Sequence, residues 1–163
     1  MRQGANISKQ GGVMLLEALI ALLIFTMGIL AVIGMQARSI GQTMEARYRT
    51  DAAFLGNQIL SLMWADGGAG LSYTNIPGYA CNPCLSGSGG NATTQAWVTQ
   101  IQSTTSQSAY LPGVTDSANQ PVIQVTPNTV NAVTRYQVTV TLNWKSPQGG
   151  TTHSYTTMAQ IGP

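Results

Sequence analysis

From Val13 to Met35 the chain is almost unbroken apolar sequence, and the single charge inside that run is Glu17. About 20 apolar residues in a helix cover the hydrocarbon core of a bilayer, so the run is long enough to span one. Beyond Met35 the pattern changes rather than stops. Ala37, Ile40, Met44, Tyr48, Ala52, Leu55, Ile59 and Leu62 recur at spacings of three and four, which places them on one helical face, with Gln42, Arg49 and Asn57 opposite. No proline interrupts residues 13–64. The two patterns therefore read as one long helix, apolar all round in its first half and amphipathic in its second. Gly28 and Gly34 each weaken such a helix by about 1 kcal/mol relative to alanine. They also permit close helix packing in lipid.

Asp66-Gly67-Gly68-Ala69-Gly70 reads as the end of this helix, since glycine supplies the left-handed conformation that stops one. Residues 66–92 read as an irregular connection, with Pro77, Gly78 and the run Ser86-Gly87-Ser88-Gly89-Gly90-Asn91. Thr93 or Thr94 is placed to cap a short helix that carries Trp97 and Ile101 on one side. The last third switches to a period of two. Tyr136, Val138, Val140, Leu142 and Trp144 alternate with Gln137, Thr139, Thr141 and Asn143, the pattern of a half-buried strand. Ser146-Pro147-Gln148-Gly149-Gly150 is a turn, Thr151–Gln160 a returning strand, and Pro121–Val125 a third, shorter one. The expected fold class is α+β, with a three- or four-stranded antiparallel sheet packed on the amphipathic half of the long helix. The chain divides into residues 1–12, a polar leader; 13–35, the apolar half of the helix; 36–65, its amphipathic half; and 66–163, a β-rich globular domain.

Charge adds little to this. Only 7% of the 163 residues are charged. Arg2 and Lys9 are two of the seven basic residues, and without the leader five basic residues balance five acidic ones. Past residue 66 only Arg135 and Lys145 are basic. No electrostatic footprint for nucleic acid results. Arg38, Arg47 and Arg49 lie close together, but Glu45 and Asp51 stand among them, the composition of a solvated helix face. Arg2 and Lys9 favour a cytoplasmic leader, whereas the arginines past Met35 argue the other way. Beyond residue 65 the chain is rich in Thr, Ser, Asn, Gln and Gly, as exported surface domains often are.

The junction Gln10-Gly11-Gly12 followed by Val13-Met14-Leu15-Leu16-Glu17 resembles a type IV prepilin signal. That family has a short basic leader ending in glycine, a peptidase that cuts after it, an N-methylated new terminus and a glutamate at the fifth mature position. The resemblance implies cleavage between Gly12 and Val13, methylation at Val13, and a role in assembly register for Glu17. Valine stands where the family usually has phenylalanine. An ordinary secretory signal has an apolar core of only 7–15 residues and a small-residue cleavage site. Here the run is longer, and Met35-Gln36-Ala37 is a poor match for such a site. An ordinary single-pass anchor has no reason to combine this leader with this glutamate.

Gly28-Ile29-Leu30, Met35-Gln36-Ala37-Arg38, Tyr48-Arg49, Ala52-Ala53 and Met63-Trp64-Ala65-Asp66 narrow the resemblance to PilV-type minor pilins, or type IV pilus modification proteins. Trp97 upstream of Leu111-Pro112-Gly113, and Val138-Thr139-Val140 ahead of Trp144, fit the same pattern. The likeness is dense over residues 10–66 and thin afterwards. It implies the pilin fold and a subunit that initiates or modifies a type IV pilus. The implied location is the inner membrane, with the C-terminal domain in the periplasm, and then the pilus at the cell surface. The implied partners are the prepilin peptidase, other minor pilins, the major pilin, the inner-membrane assembly machinery and, before assembly, the lipid bilayer. A minor pseudopilin of a type II secretion system shares the same signal and is the alternative within this class. A DNA-uptake pilin would need a basic stripe that the exported domain lacks.

Candidate chemistry is sparse. Cys81-Asn82-Pro83-Cys84 is the one motif that suggests catalysis, and a membrane-tethered thiol oxidoreductase is the alternative from another class. The motif lies in a Pro/Gly loop without a βαβ pattern, and it reads as a local disulfide in an oxidising compartment. Closing so short a loop stabilises only modestly. One histidine and one C-x-x-C do not make a zinc site. His153 is a lone histidine on a strand, with a hydrogen-bonded or exposed structural role. Trp64, Trp97 and Trp144 read as core residues. No catalytic constellation, cofactor motif or metal set is apparent, and the expectation is a non-enzymatic protein.

Overall fold

A computed structural model describes residues 11–68, 73–103, 110–147 and 150–163. Of the sequence features above, leader residues 1–10, Ala69 and Gly70 at the helix end and Gln148 and Gly149 in the turn lie outside the described residues. The chain forms two compact units, residues 1–43 and 44–163. Helix α1, Gly11–Gly68, runs through both.

In the first unit α1 is exposed over residues 12–40. Val13, Leu16, Leu19, Phe25, Leu30, Met35 and Ile40 all stand in solvent-accessible positions. An added Cβ at Gly28 or Gly34 would meet nothing within 4 Å.

The second unit is built on the rest of α1. It adds a 3-10 helix, Tyr73–Tyr79, helix α2, Ala92–Gln102, and strands β1, Val122–Val130, β2, Val133–Lys145, and β3, Thr152–Ile161. The strands form one antiparallel sheet in the order β1-β2-β3. An α+β arrangement of a long apolar N-terminal helix with a small antiparallel sheet is thus what the chain adopts.

Alternation explains the core. Val138, Val140, Leu142 and Trp144 of β2 are buried, and they meet Ala52, Leu55, Ile59 and Met63 of α1 in one cluster. Gly56 makes this approach possible: a Cβ there would lie 3.0 Å from Cγ2 of Thr157 on β3. Of the expected apolar stripe of α1, Ala52, Leu55 and Ile59 are buried and Tyr48 packs against the core, whereas Ala37, Ile40 and Leu62 are exposed and Met63 is buried. Trp64 is also a correction: it is exposed rather than in the core. Trp97 and Trp144 are buried as expected, and Trp97 Nε1–H donates to the Leu55 carbonyl at 3.1 Å.

Helix α2 starts one residue before Thr93, because Asn91 is its cap. The Asn91 side chain accepts the Thr94 N–H at 2.9 Å. The Thr94 hydroxyl donates back to Asn91 Oδ1 at 3.0 Å, so neither threonine caps the helix. Trp97 and Ile101 face the core as their spacing requires.

Strand β1 is longer than expected. It runs through Pro127 and pairs with β2 from Val122↔Thr141 to Val130↔Val133. Proline is tolerated because β1 is an edge strand. The β1–β2 hairpin closes over Asn131 and Ala132, both at positive φ (52° and 63°), the geometry of a type I′ turn.

Candidate functional site

The sequence-derived site residues fall in two places. Gly12, Val13 and Glu17 lie on the exposed apolar part of α1. Cys81 and Cys84 lie in the core of the second unit.

On α1, Val13 is 69% exposed, and Glu17 is exposed among apolar neighbours Met14, Leu16 and Ile20. An added Cβ at Gly12 meets nothing within 4 Å. The helix has an 18-residue window of mean hydropathy 2.7, so it is long and apolar enough to cross a membrane. Glu17 lies within helix α1, which is described from Gly11 onward. A carboxylate in an apolar span costs roughly 2.5–3.5 kcal/mol at the bilayer centre, and less toward the interface.

Cys81 and Cys84 are joined as a disulfide, with Cα atoms 4.8 Å apart. Sequence reasoning placed the pair on a connecting loop, but both half-cystines are buried. The segment is hydrogen-bonded to the sheet. Cys81 N–H donates to Ile123 O and Ile123 N–H to Cys81 O, both at 2.9 Å, and Cys84 N–H donates to Pro121 O at 2.8 Å. The C-x-x-C segment thus acts as a short extra strand against the start of β1.

A third constellation was not anticipated. Glu45 Oε1 accepts the Trp144 Nε1–H at 3.2 Å and lies 3.2 Å from His153 Nδ1. The His153 ring stacks on Trp144 with centroids 5.8 Å apart. Glu45 Oε2 is buried without a hydrogen-bond partner among the described residues. The sequence reading put Glu45 on a solvated face with the arginines. The signal that would have found it is helical phase: Glu45 precedes Ala52 by two turns and so shares its buried bearing. The cluster ties α1 to β2 and β3.

Among the described residues no group of three His, Cys, Asp or Glu side chains is placed to hold a metal ion. Two shallow depressions, of about 270 and 360 Å³, lie along the far face of the sheet around Asn128, Gln137 and Gln160. Their lining carries amides, Met158 and Arg135, with no nucleophile or acid–base pair. Comparison with protein-family models, curated proteins and solved structures gives no match.

Proposed function

We propose that this chain is a type IV pilin-class filament subunit, a PilV-like minor pilin that helps initiate or modify a pilus. The observation that carries the reading is the register of Gly12, Val13 and Glu17 at the start of an apolar helix exposed on every side. Such a helix needs an apolar surrounding. Lipid supplies it before assembly, and neighbouring helices of other minor pilins and the major pilin supply it in a filament. The second unit has its own core, and in this reading it is the exported domain of the subunit.

In this reading the prepilin peptidase cuts between Gly12 and Val13. The new amine of Val13, methylated, becomes the charge partner of Glu17 on an adjacent subunit. Desolvated in a bundle, that pair sets axial register, because leaving either charge unpaired there costs several kcal/mol. The test is the mature terminus. Mass spectrometry of the protein from membranes and sheared pili should find a methylated N-terminus at Val13, and a Gly12→Val variant should remain full length and absent from pili. A mature terminus at any other residue rules the reading out.

A further inference from the structure

On the outer face of the sheet β3 ends at Ile161, opposite Tyr136, so beside Arg135 the sheet is two strands wide. At that step lie the two depressions, which share Asn128 and Gln160 in their lining and therefore adjoin as one groove. Arg135 is the only charged side chain that lines it. The three strands contain no Asp or Glu, and among the described residues no carboxylate pairs with Arg135. The Arg135 Nε–H donates to the Pro163 carbonyl at 3.0 Å, which anchors the guanidinium and leaves its two terminal nitrogens for another partner.

The rest of the lining is neutral. Asn128, Asn131, Gln137 and Gln160 contribute amides. Among the described residues the side chains of Asn128, Asn131 and Gln160 make no hydrogen bond. Met158, 65% exposed, adds apolar surface at one end.

These groups define a ligand. A guanidinium fork takes a carboxylate by two parallel hydrogen bonds. Each side-chain amide sets donors beside an acceptor, which is what neighbouring sugar hydroxyls require. The apolar surface suits the C–H face of a sugar ring. An extended peptide fits less well, because β2 is paired on both sides from Tyr136 to Thr141 and its backbone has nothing left to offer. A nucleic acid needs many cations, and the groove has one. We propose that this groove binds a saccharide bearing a carboxylate, of the uronic acid class. Arg135 pairs with the acid, and Asn128, Gln137 and Gln160 bond the hydroxyls. The inference is independent of the pilin reading, since the groove lies within the second unit and needs neither cleavage nor assembly.

The test is calorimetric titration of the full chain in detergent micelles with trigalacturonate and with its methyl ester. The acid should bind at least about tenfold more tightly, the factor that ~1.4 kcal/mol represents. Arg135→Gln should remove that difference and leave binding of the ester unchanged. Gln160→Leu should weaken acid and ester by the same factor. Lys145→Gln, which removes the other cation of this face, should change neither. Acid and ester bound alike overturn the proposal without any variant, as does a lack of binding up to the solubility limit. An equal loss in Lys145→Gln and Arg135→Gln overturns it too, because the attraction would then be charge in general. Displacement of the acid by acetyl-trialanine at equal concentration would show a carboxylate site indifferent to sugar, and the saccharide assignment would fall.

Discussion

Tyr79 is a buried phenol whose ionisation the fold opposes. Burial raises its pKa above the usual 10.0, and the Asp66 carboxylate, which accepts its hydroxyl at 3.2 Å, adds to the rise. Hydrogen bonds with Thr93 and Asn91 pull the other way. The folded state thus holds this proton more tightly than the unfolded chain does. The associated stability is fully present below about pH 10 and is lost as pH rises through the folded pKa. Tyr79→Phe should lose about 1.5–3 kcal/mol at neutral pH, as for a hydrogen bond to a charged group. It should also show a shallower loss of stability above pH 10. Denaturant melts of both proteins between pH 7 and 11 check this, because the other titrating groups contribute equally to the two curves. A single residue also decides the packing of α1 on the sheet. Gly56 is buried, and a Cβ added there would lie 3.0 Å from Thr157 Cγ2, so glycine serves close approach rather than flexibility.

At the scale of elements, the sequence was most legible where one period ran uninterrupted. The β2 alternation, the β3 return and the long helix all follow from it. It failed where a local signal was indirect. Strand β1 runs past Val125 through Pro127, a residue that ordinarily breaks a strand and is harmless here because β1 is an edge strand. The hairpin after it was missed because Asn131 is followed by Ala132 instead of the glycine that a type I′ turn favours. Alanine at φ 63° is strained, so Ala132→Gly should raise stability by up to about 1 kcal/mol, measured as a shift in denaturant midpoint with unchanged slope. The α1 stripe overran at both ends because apolar residues at 40 and 62 satisfy the spacing yet are exposed, and Glu45 was missed because it stands among arginines. The disulfide was legible as a pair but not as core, since nothing in a Pro/Gly loop shows that its backbone pairs with β1. That position changes the expected effect of removing it. Loop closure over three residues contributes little, so Cys81→Ala with Cys84→Ala should report mainly lost packing. In the double serine variant the new hydroxyls have acceptors at hand, since the Tyr79 carbonyl lies 3.7 Å from the Cys81 sulfur and the Cys81 carbonyl 3.3 Å from the Cys84 sulfur, so it should lose no more than the double alanine variant. A larger loss for serine would mean that those carbonyls do not accept, because a buried hydroxyl without a partner costs about 1–3 kcal/mol.

For the whole molecule, the decisive property is that one helix has two characters. Its first half has no core to enter in the single chain, and its second half is the spine of the folded unit. In the proposed reading, membrane insertion and folding are therefore separable, and a substitution in the first half should leave the second untouched. Glu17→Ala is the sharpest case. It makes the span more apolar, so insertion should be unimpaired. It touches none of the buried cluster, so the melting of residues 44–163 should not move. What it removes, in the proposed filament, is the partner of a buried amine, and an uncompensated charge in a bundle costs several kcal/mol. The expected outcome is a variant found at normal levels in the membrane fraction, cleaved to Val13, and depleted at least about tenfold from sheared pili, since each 1.4 kcal/mol is a factor of ten. Quantitative mass spectrometry of the two fractions makes the comparison. Recovery in pili at the unsubstituted ratio would mean that Glu17 does not select register. The exposed apolar face alone would then have to account for assembly.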